Sequence, residues 1–134
     1  TIDNLNLYEI ANYLDENASK DINVYTGYND GAYLEYRGYK CYMDARAEVF
    51  LKSINKKEDI IIEYYNLQYK NVKYKEFLDK YNFDYLVLDD RDSLYTYFEI
   101  SNDKDYEIVY EKFFEDEDIK YRIYKKVVES EKNN

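Results

Sequence analysis

Four consecutive charged residues, Asp89-Asp90-Arg91-Asp92, follow the apolar run Tyr85-Leu86-Val87-Leu88. Carboxylates at the carboxyl end of a buried strand stand where open α/β sheets bind ligands. Asp90 and Asp92 have the Asp-x-Asp spacing that can hold a divalent cation against a diphosphate, and hard oxygen ligands suit magnesium or manganese. The matching function is a soluble domain that binds a divalent metal and a nucleotide-sugar. The same spacing arises readily by chance among 29 acidic residues, and no glycine-rich nucleotide loop accompanies it. A solvated turn and helix cap is the default reading. A phosphoacceptor role would need an acidic pair after the first strand to bind magnesium, yet that strand ends Tyr25-Thr26-Gly27-Tyr28.

The second constellation surrounds the glycines. All three, Gly27, Gly31 and Gly38, fall in one short stretch, which concentrates there the backbone freedom and close approach that glycine allows. The loops around Gly27, Asp30 and Gly31, and around Asp44 and Arg46, are the candidate ligand-binding face. Asp44 and Arg46 can form a bidentate ion pair or bind a polar ligand. The chain has no histidine, which removes Ser-His and Cys-His nucleophile pairs and histidine-based zinc sites. Its one cysteine, Cys41, lies in the strand-like run Tyr39 to Met43 and reads as a small buried hydrophobe. No catalytic residue and no cofactor is expected. Asn17-Ala18-Ser19 matches a glycosylation acceptor, a pattern short enough to arise by chance.

A formal charge of −10 repels phosphate backbones and anionic headgroups, so nucleic acid is not an expected partner. With 134 residues the chain suits one domain. Residues 1–128 are expected to form a single α/β domain and 129–134 a frayed polar tail. Twenty tyrosines, six phenylalanines and no tryptophan imply a core filled by rings with hydroxyl tips. A third reading is therefore an interaction module whose tyrosine-rich face docks on a protein partner. The chain begins at Thr1, which fits a segment of a longer polypeptide, and no apolar run approaches bilayer length.

The elements that must position these residues follow from periodicity. Apolar residues at 7, 10, 11 and 14 predict an opening helix capped by Asn6, with Glu9 at its third position. Asp21–Thr26 alternates as a first strand. Asp30–Tyr36, entered at Asn29 or Asp30, reads as a short helix, Lys40–Met43 as a second strand and Ala45–Ile54 as a helix. Ile60–Tyr65 reads as an irregular or helical connector, and Asn71–Tyr81 as an amphipathic helix with Val72, Tyr74, Phe77, Leu78 and Tyr81 on one side. Phe83–Asp89 is a buried central strand, and Ser93 caps a helix through Phe98. Asp105–Phe114 and Ile119–Val127 flank the acidic turn at 115–118 as a hairpin. The order implies a three-layer α/β sandwich with a mainly parallel central sheet and an antiparallel C-terminal hairpin.

Two segments also carry a resemblance. Val24-Tyr25-Thr26-Gly27-Tyr28-Asn29-Asp30-Gly31-Ala32-Tyr33-Leu34 and Tyr39 to Phe50, followed by Lys80 to Leu88, resemble the soluble C-terminal domain of bacterial polytopic membrane proteins similar to dolichyl-phosphate-mannose-type glycosyltransferases. Those domains show a "Gly-Gly-Tyr-Leu" turn and a "Phe-Ile-Asp-Gly-Arg" run, matched here by Asp30 to Leu34 and by Met43 to Arg46. Here Asp30 replaces a glycine, Ala32 is inserted and Ala45 stands before Arg46. The resemblance adds Tyr33 to the candidate ligand-binding residues. It implies an extracytoplasmic accessory domain at the cell membrane that is not catalytic in isolation. Its implied partners are the membrane body of the same polypeptide and a carbohydrate or cell-envelope acceptor.

Overall fold

The computed structural model describes residues 5–42, 57–69 and 71–132. The elements are α1 (Leu5–Asn17), β1 (Asn23–Tyr25), α2 (Tyr28–Tyr36), β2 (Lys40–Cys41), α3 (Lys57–Gln68), α4 (Tyr74–Tyr81), β3 (Tyr85–Asp89), α5 (Ser93–Ile100), β4 (Tyr106–Phe114), β5 (Ile119–Lys126) and the single turn α6 (Glu129–Lys132). They form one five-stranded sheet in the order β2-β1-β3-β5-β4. β1 pairs parallel with β2 and β3, and β5 pairs antiparallel with β3 and β4. The expected α/β sandwich, parallel at one end with an antiparallel hairpin at the other, is present.

The layers follow from the two-residue period of the strands. Tyr85 and Val87 of β3 join Val24, Tyr121 and Ile123 under Leu7, Ile10, Ala11 and Leu14 of α1 and Leu34 of α2. Leu86 and Leu88 point the other way, with Tyr25 and Tyr124, into a second core under Leu67, Phe77, Leu78 and Leu94 from α3, α4 and α5. Because β3 is apolar on both faces, it reads as a continuous buried run. The second core is strongly aromatic: the Tyr42 ring meets Phe77 edge-on at 5.4 Å and Phe83 at 5.9 Å. Buried phenols need acceptors, and carboxylates supply several. Tyr42 and Tyr81 donate to Glu63 at 2.7 and 2.5 Å, and Tyr39 donates to Asp15 at 2.7 Å.

Several element boundaries differ from the sequence reading. α1 is already helical at Leu5, so Asn6 lies inside the helix and does not cap it. β1 and β2 are shorter than the alternating runs that contain them, although Tyr42 N–H still donates to Val24 O at 2.8 Å. α2 starts at Tyr28 with Gly27, not Asn29 or Asp30, as its cap. The Ile60–Tyr65 segment is helical throughout: Ile60 and Tyr64 pack on the second core and Leu67 is fully buried, which is helical spacing. α4 keeps the expected apolar side but begins at Tyr74. Asp92, not Ser93, caps α5, its carboxylate accepting from Leu94 N–H at 2.9 Å. The tail forms a helical turn at Glu129–Lys132. The helix expected at Ala45–Ile54 lies outside the described residues.

Gly38 ends the α2 connection with φ +99°, a region that L side chains rarely adopt. Replacing Gly38 with alanine should lower stability by about 1 kcal/mol through backbone strain alone. The space there is ordinary, since a Cβ would sit 3.5 Å from the Lys20 side chain. Chemical denaturation of the G38A protein checks this; unchanged stability would show that the turn relaxes.

Candidate functional site

From β1 the chain passes through α2 to β2 on one side, whereas β3 lies on the other side of β1. The sheet order therefore diverges between the carboxyl ends of β1 and β3, where α/β sheets open a crevice. A cavity of about 310 Å³ occupies that position, lined by Gly27, Asp30, Tyr64, Gln68, Asp89, Arg91 and Asp92. A larger groove of about 560 Å³, lined by Asn17, Ala18, Ile22, Val127 and neighbours, lies at the opposite end of the strands. Its exposed lining is mainly apolar, whereas that of the crevice is mainly polar, so the crevice is the stronger candidate for chemistry.

Each wall has a local cause. Gly27 caps α2 through its carbonyl, which accepts from Asp30 and Gly31 N–H at 3.1 and 3.3 Å. A Cβ there would come within 3.3 Å of the Tyr64 hydroxyl and 3.8 Å of an Asp92 carboxylate oxygen. The missing side chain thus helps keep the crevice open. Asp30, in the first turn of α2, faces β5, and both its oxygens accept from the Tyr121 hydroxyl at 3.2 Å. Burial pushes its pKa up to about 7, helped by repulsion from Asp89 and opposed by Tyr121 and Arg91. Asp89 ends β3 and accepts from Arg91 N–H at 2.8 Å, with the Arg91 guanidinium 3.6 Å from its carboxylate.

Asp92 is nearly buried and ties three elements together. One oxygen caps α5, and the other accepts from Tyr25 Oη–H at 2.8 Å. Gln68 Nε2 donates to Tyr25 Oη at 3.1 Å, while its Oε1 accepts from Ser93 N–H at 3.0 Å. The network Gln68, Tyr25, Asp92 and Ser93 fixes α3 and α5 against the end of β1. Burial pushes the Asp92 carboxyl up to about 6, against the hydrogen bonds from Leu94 N–H and Tyr25.

The structure thus gathers three of the sequence-derived candidates, Gly27, Asp30 and Asp92, around one cavity. Gly31 and Tyr33 are directed elsewhere. The Gly31 α-carbon packs toward Thr26 Oγ1 and Cys41, whereas Tyr33 Oη accepts from Arg37, itself paired with Asp15 at 2.5 Å. Asp44 and Arg46 lie outside the described residues. Asp90 and Asp92 have separate partners: an Asp90 oxygen accepts from Lys120 N–H at 3.3 Å at the start of β5, away from Asp92's contacts. Among the described residues no group of three or more carboxylates, cysteines or histidines is arranged to hold a metal ion.

Tyr25, Tyr64, Gln68 and Tyr121 were not candidates from sequence. Tyr64 and Gln68 come from the segment whose period is masked by the Ile60-Ile61-Ile62 run. The legible signal was the strand-terminal Asp89–Asp92 cluster, which gives the end of the sheet but not the neighbours it meets. No protein-family model matches the chain, and comparisons with curated proteins and with solved structures give no match.

Proposed function

We propose that the chain is an extracytoplasmic accessory domain of a membrane glycosyltransferase-like protein, non-catalytic in isolation, whose crevice receives a hydroxyl-rich part of the acceptor. One observation carries this reading: a polar crevice at the divergence of β1 and β3, lined by carboxylates, the Gln68 amide, the Arg91 guanidinium and the Tyr64 phenol. That mixture of donors and acceptors complements neutral sugar hydroxyls, and a phenol can stack on a sugar's apolar face. Three carboxylates against one guanidinium disfavour a phosphate or another anion. The likeness at Asp30–Leu34 and Lys80–Leu88 supplies the membrane context, with the membrane body of the same polypeptide and a cell-envelope carbohydrate as partners. Among the described residues no helix is long and apolar enough to cross a membrane.

Titration of isotope-labelled protein with neutral mono- and disaccharides should shift the amide signals of Gly27, Asp30, Gln68 and Arg91 saturably. Gly27→Val, which fills the cavity, should abolish those shifts while leaving the core signals in place. Absence of any saturable shift at millimolar saccharide rejects the carbohydrate reading. Sidedness has its own test: protease added to intact protoplasts should release the domain from the membrane fraction, and protection would overturn that placement.

A further inference from the structure

The sheet ends on β4, and among the described residues no strand pairs with its outer edge. A nine-residue open edge is a template for another strand. The side chains of β4 sort by their neighbours. Tyr106 belongs to the second core, Ile108 lies opposite Tyr124, Glu111 pairs with Arg122, and Phe113 continues that alternation on the α5 face. Glu107 takes the intervening position on the α1 face. Val109 and Tyr110 both pack against the first core, and Lys112 reaches Glu9 of α1 at 2.5 Å. The register shift between Ile108 and Tyr110 is thus a bulge that places two consecutive residues on one face. Read from Tyr106 to Phe113, the facing pattern is the same in both directions about the point between Val109 and Tyr110.

We infer that β4 pairs antiparallel with β4 of a second copy of this chain, about a two-fold axis at the bulge. An isologous pairing needs a self-complementary strand, and this register supplies one. Glu107 lies opposite Lys112 of the second copy, and Lys112 opposite Glu107, on the α1 face. On the α5 face, Ile108 and Phe113, 48% and 49% exposed, become diagonal neighbours across the junction, a separation that an aromatic side chain spans. Shifting the register by one residue would set the faces of the two strands against each other. The net charge of −10 opposes association at low salt, and a Debye length of about 8 Å at physiological ionic strength screens it.

Sedimentation equilibrium at physiological salt should show a concentration-dependent dimer. Glu107→Lys alone and Lys112→Glu alone each set like charges opposite one another at both ends of the junction, and each should weaken the dimer roughly tenfold or more. An equimolar mixture of the two variants restores opposite charges at both positions, so a heterodimer should form as tightly as the wild-type dimer. Misfolding of either variant could not produce that rescue. A wild-type chain monomeric up to millimolar concentration, or single variants that dimerise as tightly as wild type, overturns the inference. A mixture no tighter than either variant alone does so as well.

Discussion

Asp30→Asn should stabilise the protein at pH 8 by about 1 to 3 kcal/mol, an increase that disappears toward pH 4. Burial between α2 and β5 raises the folded-state pKa of Asp30 from 3.8 to about 7. A carboxyl raised on folding contributes stability that is fully present below its unfolded pKa and lost as pH rises through the folded value. The wild-type protein is therefore most favoured by this group below about pH 4 and carries its full penalty above pH 7. At about 1.4 kcal/mol for each pH unit between the unfolded and folded values, that penalty is at most about 4 kcal/mol. Asparagine removes the charge and keeps a carbonyl oxygen to accept from Tyr121. Urea unfolding of both proteins between pH 4 and 8 measures the difference; an equal loss of stability at every pH would show that the carboxylate is better accommodated than its burial implies. If the gain at pH 8 accompanies loss of saccharide binding, the charge is held at the expense of stability for a ligand, as functional sites often show.

The opposite sign is expected for Asp92→Ala. Removing this side chain takes away the α5 cap, worth about 1 kcal/mol. It also leaves the buried Tyr25 hydroxyl without its acceptor, which costs about another 1 to 3 kcal/mol. The sum is about 3 kcal/mol below about pH 5, where the wild-type carboxyl is mostly uncharged, a fall in melting temperature of roughly 10 °C for a chain of this size; at higher pH, relief of the buried charge offsets much of it. Asp92→Asn keeps a carbonyl that can cap Leu94 or accept from Tyr25, and its loss should be less than half as large. Because burial raises the Asp92 pKa to about 6, the charge of the wild-type carboxylate is itself unfavourable above that pH. Thermal melts of the two variants at about pH 5 and at about pH 8 separate the hydrogen bonds from the charge. Equal losses in both would mean that the carboxylate's charge, not its acceptor oxygens, holds α5 in place.

The site was only partly legible in the residues. Gly27 and Asp30 stood out because glycine and a helix-entry acid are local signals, and Asp92 because it follows a strand. Tyr25 and Tyr121 did not stand out, since one phenol among twenty carries no local mark of having a buried carboxylate as its partner. Gln68 lies 25 residues from Ser93, to whose N–H its carbonyl binds, and no periodicity connects them. Tyr33 shares the glycine-rich stretch with Asp30 yet turns toward Arg37, which lies one helical turn on and is itself drawn to Asn12 and Asp15 of α1.

By itself the sequence determined the order of the strands and of helices α1, α2, α4 and α5, the double-faced burial of Tyr85–Leu88 and the C-terminal hairpin. These depend on residue spacing within one element, where side-chain periodicity is a direct consequence of backbone geometry. Tertiary structure decided where those elements end and which side chains meet. The isoleucine run at 60–62 became helix because Ile60, Tyr64 and Leu67 share one core-facing side, and the α5 cap moved to Asp92 because Tyr25 reaches its second oxygen. The crevice itself exists because β3 inserts beside β1 opposite β2, a choice made by long-range packing that no local pattern along the chain encodes.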